Sequence, residues 1–215
     1  YYKTQYQLEK PGRLTDSLNI LATDTKTLTQ YTFPFQVSAT HLLYQKSSNN
    51  RRTGFYINSP EGERLVRLRD ISIEDQYSYR NGQIVYTAYE SHPRWRWVSY
   101  NVIKILDVAT GQQRTLTHKT RYFSPDISAD GKTVVANSVA LDGKSMLAFL
   151  TADNGNLFRG IVNDSVNYFS TPKFLNDSTV ITVLRNKDAT TAIAAVDVVS
   201  GDIKNITTPS FTVIG

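Results

Sequence analysis

Cysteine is absent from the 215 residues, which removes disulfides, thiolate metal sites and a cysteine nucleophile together. Histidine is almost as scarce. His41, His92 and His118 are the only three, and none stands in a His-x-x-x-His or His-Glu-x-x-His spacing, so zinc hydrolysis has no ligand set. No Gly-x-Ser-x-Gly elbow is present. Gly143-Lys144-Ser145 and Gly131-Lys132-Thr133 lack the glycine five residues upstream that a phosphate loop needs, because Ser138 and Asp126 stand there. No apolar run approaches the ~20 residues that span a bilayer, so no transmembrane segment is expected. The chain opens Tyr1-Tyr2-Lys3-Thr4 without a methionine or a charged-then-apolar leader, and it reads as a piece of a longer protein. The positive excess is small: +5 over the whole length gives mild attraction to anionic surfaces, far short of a nucleic-acid footprint.

What the chain does have is aromatic and β-branched residues set between turn signals. Thirteen Tyr and nine Phe against eleven Gly and seven Pro, with many Thr and Val, favour strands over helices. The strands repeat. Tyr122-Phe123-Ser124-Pro125 returns as Tyr168-Phe169-Ser170-Thr171-Pro172. Asp107-Val108-Ala109-Thr110-Gly111 followed by Leu116-Thr117 returns 90 positions on as Asp197-Val198-Val199-Ser200-Gly201 followed by Ile206-Thr207. Two registers agree on a period near 45, which is the size of a four-stranded unit of an array.

The third unit is the clearest. Tyr122 to Ala129 predicts the innermost strand, Thr133 to Asn137 the second, Ser145 to Leu150 the third and Leu157 to Val162 the outer one, with turns at Asp130-Gly131, Asp142-Gly143 and Asn154-Gly155. Units of about 31–70, 71–120, 121–165 and 166–210 follow, the first being the least regular. Residues 1–30 are expected to be a linker or extra strand, in which Leu14, Leu18 and Leu21 keep a helical spacing. Ser210 to Gly215 is expected to open a further unit. The predicted fold class is all-β, a β-propeller-like array of about four four-stranded blades, with open blade edges that favour self-association.

The units beginning at Tyr122 and Tyr168, with the Asp130-Gly131-Lys132 turn and the later Asp-x-x-Thr/Ser-Gly hairpin followed by Leu-Thr, resemble the PD40 repeats of TolB-like propellers, a WD40-like class. The segment His92 to Trp97 before Tyr100 is similar to one found in large Bacteroidetes-type envelope proteins. The resemblance implies a non-enzymatic, usually six-bladed propeller, at work in the periplasm or cell envelope of a Gram-negative bacterium as a docking surface for a protein or peptide. It implies no cofactor and brings no catalytic residues. Four units are fewer than such a ring needs, and the insertion around 90–99 departs from the repeat.

That insertion is the sharpest candidate site. Arg94, Trp95, Arg96 and Trp97 alternate, so an extended loop puts the aromatics on one face and the guanidiniums on the other, an arrangement suited to a peptide, a sugar or anionic headgroups. The competing reading is that both tryptophans fill the gap between blades while the arginines pair with acidic turns. Lys119 and Arg121, before the third unit, join the same candidate rim. Arg51-Arg52 reads as a solvated hairpin tip. Asp75, Glu90 and Asp126 are acids that no spacing pairs for glycoside hydrolysis. The expected function is a non-catalytic protein or peptide interaction module. The alternatives are a regulatory propeller of a peptidase whose catalytic domain lies elsewhere, and a glycan-binding propeller.

Overall fold

The computed structural model describes residues 26–95 and 97–211. The leucines at 14, 18 and 21, residue 96 and the end of the expected opening strand at 212–215 lie outside them. The described residues contain sixteen strands and no helix. They form four antiparallel four-stranded sheets, each in simple sequence order. Blade 1 holds β1 (Thr29–Ser38), β2 (His41–Ser48), β3 (Arg51–Ser59) and β4 (Gly62–Leu68); blade 2 holds β5 (Ser78–Arg80), β6 (Gln83–Ser91), β7 (Ser99–Asp107) and β8 (Gln113–Thr115). Blade 3 is β9 (Tyr122–Ile127), β10 (Thr133–Val139), β11 (Ser145–Thr151) and β12 (Leu157–Ile161); blade 4 is β13 (Val166–Asn176), β14 (Thr179–Asn186), β15 (Thr191–Asp197) and β16 (Ile203–Asn205). β1 begins at Thr29, so two residues of the expected linker already pair with β2.

Each blade is a meander; blades 2 and 3 are covered by a neighbour on both faces, blades 1 and 4 on one. The core is therefore three slabs between blades. Leu43, Phe55 and Ile57 meet Ile84, Tyr86 and Leu106 between blades 1 and 2. Val85, Ile103 and Ile105 meet Val134, Ala136 and Leu150 between blades 2 and 3. Val135, Leu147 and Phe149 meet Val180, Leu184, Ala194 and Val196 between blades 3 and 4. This is why the sequence shows alternation and yet both sets of positions on the middle blades are apolar.

The innermost strands are bent by one recurring device. Phe33, Ser124 and Thr171 are left-handed, with φ of 51, 49 and 44°, and each is followed by a proline, Pro34, Pro125 or Pro172. A residue before proline is barred from the right-handed helical region. Here it takes the left-handed one and opens a bulge in the ladder to the second strand, between Thr32 and Phe35, opposite Val135 to Asn137, and between Ser170 and Lys173. Such conformations cost about 1–3 kcal/mol apiece and persist only where the surroundings fix them. At Ser124 the fixing group is Glu74, whose carboxylate accepts from the Ser124 N–H at 2.9 and 2.8 Å and its hydroxyl at 2.6 Å. At Phe33 the carbonyl accepts the Tyr77 hydroxyl at 2.7 Å.

Blade 2 has no such proline. Its entry is organised by Arg69, 6% exposed, whose guanidinium donates to the carbonyls of Glu74, Asp75 and Gln76 and to the Gln45 side chain. It also lies over the rings of Phe55 and Tyr86.

The outer strands carry a second device. Arg67, Arg114 and Arg159 stand opposite Phe55, Ile105 and Phe149, on the side facing the following blade. Arg67 donates to the Gly111 carbonyl at 3.1 Å, and Arg114 to the carbonyls of Asp153 (2.8 Å) and Ala152. The Arg159 guanidinium lies against Gly201, where a Cβ would stand 2.8 Å from it. The first and last of these turns are the ones that the Asp-x-x-Thr/Ser-Gly echo marks; the middle one, Thr151 to Gly155, keeps only the glycine. The Leu-Thr echo has an equally local meaning: Thr117 and Thr207 accept the N–H of Ile103 and Ile193 at 3.0 and 2.9 Å, just beyond the end of the fourth strand.

Turn chemistry separates the hairpins. At Asn81-Gly82 both residues are left-handed, as a two-residue hairpin requires, whereas at Asp130-Gly131 only the glycine is. Gly155 is the most constrained turn residue, because its φ is +73° and a Cβ there would lie 2.1 Å from the Leu116 carbonyl oxygen of the preceding blade. Gly155→Ala is expected to destabilise the protein by roughly 2–4 kcal/mol, combining left-handed strain with displacement of the blade 2–3 contact; urea unfolding within 0.5 kcal/mol of the parent would show that the turn does not hold the blades together.

Candidate functional site: the loop end of the array

Hairpins between first and second strands, and turns between third and fourth, gather at one end of the array, where they touch. Val108 N donates to Gly82 O, Ala152 N to Lys132 O and Val198 N to Ser178 O, at 2.9, 2.7 and 2.9 Å. The opposite end carries the second-to-third-strand loops, Asn49–Asn50, 92–98, 140–144 and 187–190, together with the linkers between blades. Every described candidate binding residue, Arg94, Trp95, Trp97, Lys119 and Arg121, lies at this loop end.

The 92–98 loop does not extend from its hairpin. It coils back, with Val98 N donating to Trp95 O and His92 N to Val98 O, both at 3.0 Å. His92 Nδ1 accepts the N–H groups of Arg94 and Trp95 at 3.1 and 3.0 Å. The alternation expected of an extended loop is therefore lost, because the imidazole gathers two consecutive backbone donors into a turn. The packing reading also fails. Trp97 is 96% exposed and Trp95 61%, and the Arg94 guanidinium lies over the Trp95 ring, 5.8 Å from its centroid, instead of pairing with an acidic turn. Arg96 lies outside the described residues.

Lys119 and Arg121 are both exposed on the linker between blades 2 and 3. Lys119 is left-handed, φ 54°, and its N–H donates to Glu90 Oε2 at 2.7 Å while His118 Nδ1 meets Glu90 Oε1 at 2.8 Å. Glu90 ends β6 at the foot of the 92–98 loop, so one carboxylate ties the loop to the linker. The His118 and Lys119 hydrogen bonds hold that carboxyl below its usual range. Arg121 is fixed by its backbone, which bridges Asn101 of β7 and accepts Val139 N of β10 at 3.1 Å. The five described candidates thus share one corner.

A polar cluster near the axis was not legible in the sequence. Ser78, Asp126 and Lys173 occupy the same register on β5, β9 and β13, opposite Val85, Val135 and Ile181. Lys173 Nζ donates to Ser78 Oγ and lies 3.7 Å from Asp126 Oδ1; Ser78 Oγ donates to Pro125 O at 3.0 Å; Asp126 Oδ2 accepts Phe174 N at 2.7 Å. Arg80 adds a bond to Phe174 O at 2.7 Å. Desolvation lowers the Lys173 pKa against the pull of Asp126. Ser78 and Lys173 have the separation of a nucleophile and its base. Yet the hydroxyl is 2% exposed, gives its proton to a carbonyl and accepts from the ammonium, so the pair braces the inner strands. Among the described residues no three His, Asp or Glu side chains converge as a metal site.

Four antiparallel meanders packed face to face in sequence order, with their first strands converging, are blades of a β-propeller. Within that class the fold is TolB-like. TolB from Acinetobacter baumannii superposes with a TM-score of 0.59 at 16% identity, over 79% of this chain and 41% of that one. A putative TolB from Agrobacterium tumefaciens gives 0.57 at 16%, over 78% of this chain and 61% of that one. Pyrococcus horikoshii acylaminoacyl peptidase gives 0.57 at 10%, over 85% and 33%. The match thus covers 61% and 41% of the two TolB chains. No family model matches the chain, and no curated protein matches its sequence.

With both indoles in solvent, iodide is expected to quench the native tryptophan fluorescence with a slope at least half that of the urea-unfolded chain. A slope below a fifth of it would put the rings back in a packed site.

Proposed function

We propose that the chain is a non-catalytic protein or peptide interaction module of a bacterial cell-envelope protein, and that it receives its partner at the loop end around Arg94, Trp95, Arg96 and Trp97, with Lys119 and Arg121 alongside. The observation that carries this reading is the exposure of two tryptophans on a loop held by His92 and rooted in a rigid hairpin. Large rigid aromatics beside arginine are the residues that dominate binding energy at protein interfaces, and loops on a fixed scaffold are where binding is placed. The TolB-like fold supports a periplasmic setting and a docking role without chemistry of its own.

A second reading, a gating or regulatory propeller of a peptidase, is favoured by the match to the acylaminoacyl peptidase. A glycan-cleaving site is less well supported, because Glu90, at the foot of the tryptophan loop, is committed to His118 and Lys119, and Asp126 is buried.

Retention of a specific protein from a bacterial envelope extract by the immobilised chain, lost on replacing residues 94–97 by alanine with the melting temperature within 2 °C of the parent, is the expected result. Retention unchanged by that replacement moves the site elsewhere on the module, and retention of nothing shifts weight to the peptidase reading. The outward face of blade 4, with Ile181, Val183, Ile193 and Ala195 alternating against the buried set, is also expected to drive self-association. Light scattering should report a mass rising with concentration, and a constant monomer mass would refute it.

A further inference from the structure

A second site lies at the loop end, one blade away from the tryptophans. A cavity of about 350 Å³ opens between the tip of the β2–β3 hairpin and the linker from blade 1 to blade 2. Ser47, Arg51, Arg52 and Thr53 form one wall, and Arg69, Ile71 and Asp75 are among the residues of the other.

Its charges are unevenly spent. The side chains of Arg51 and Arg52 are exposed and have no hydrogen-bond or ion-pair partner among the described residues. Arg69 is buried, has no carboxylate partner among the described residues, and leaves its Nε without an acceptor. Two of the three acids at the cavity are already used. Asp70 takes Lys104 and Gln113, and the Glu74 carboxylate takes Ser124 and Thr87. Only the exposed Asp75 carboxylate is left against three guanidiniums. Beside them Ile71 is 70% exposed, an apolar surface next to a cationic one.

We propose that this cavity binds a carboxylate of a peptide ligand, gripped by Arg51 and Arg52, with the neighbouring apolar side chain of the peptide lying on Ile71. Two planar guanidiniums supply the paired donors that a carboxylate accepts. The buried Arg69 adds a fixed positive charge behind them, screened less than an exposed one. Hydroxyls on the wall, those of Ser47 and Thr53, give further donors. The carboxylate has two sources, a chain terminus or an acidic side chain. The inference rests on the reading of the loop end as the binding face and adds to it a site that does not need residues 94–97.

The test is titration of the whole chain with four probes, followed by backbone amide NMR at Thr53, Ile71 and Ser72. The probes are acetyl-Gly-Ala-Leu as the free acid, the same peptide as its amide, acetyl-Gly-Glu-Leu amide, and inorganic phosphate. Saturable shifts with the free acid or with the glutamate peptide are expected, and which of the two responds identifies the source; the neutral amide should leave the resonances in place. Arg51→Ala/Arg52→Ala should weaken the interaction at least tenfold, about 1.4 kcal/mol, with unchanged unfolding because both side chains are solvent-facing. Trp95→Ala/Trp97→Ala should leave it intact. Three results overturn the proposal: no shift with either carboxylate probe, equal shifts with phosphate, or full binding by the double arginine variant. Loss of envelope-protein retention in the tryptophan variant alongside any of these would refute the cavity while leaving the interaction reading standing.

Discussion

Crowding of the first strands is the constraint on which the rest of this structure depends. Strands that converge on one axis cannot stay flat, and the chain bends them by forcing a residue before proline into left-handed space at Phe33, Ser124 and Thr171. The strain is local, but its support is not. The Ser124 bulge is held by a carboxylate from the linker ahead of blade 2, and the strand after Thr171 is held by Asp126 of blade 3. Blade 2 follows another route to the same end, with Arg69 collecting three carbonyls in place of a proline kink. Register, blade spacing and the direction of the loops all follow from where these bends fall.

Much of this was legible in the residues. The echo between 107–117 and 197–207 was visible because it performs the same physical tasks in blades 2 and 4: the glycine turn receives the arginine of the blade before, and Thr117 or Thr207 binds an N–H of the third strand beyond the end of the fourth. The strands of blade 3 were placed to within a few residues because glycine turns at 131, 143 and 155 separate them. Blade 1 was the faintest, although Phe33-Pro34 carries the same kink as Ser124-Pro125; the phenylalanine hid it, since a bulky residue is an unexpected occupant of left-handed space.

The candidate site was half readable. Its residue types announced a binding loop, while its shape depended on one imidazole nitrogen taking two backbone donors, which no periodicity encodes. Glu90 was seen only as an unpaired acid; its role in tying loop to linker needs a partner 28 residues away in the chain. The axial cluster of Ser78, Asp126 and Lys173 was invisible for a related reason. Three unlike residues at one register have no common letter for a repeat to reveal.

The bonds from Lys173 and Arg80 have a mechanical consequence. They join blade 2 to blade 4 across the first strand of blade 3, so the array is not a simple row in which each sheet knows only its neighbours. Blade 3 is clasped from both sides, and blades 2 to 4 must open together. Among the described residues blade 1 has no such cross-tie. It is held to the others by one slab of core and by the bonds of Arg67, Arg69 and Tyr77, which makes the seam between blades 1 and 2 the place where the fewest ties must break for the array to open.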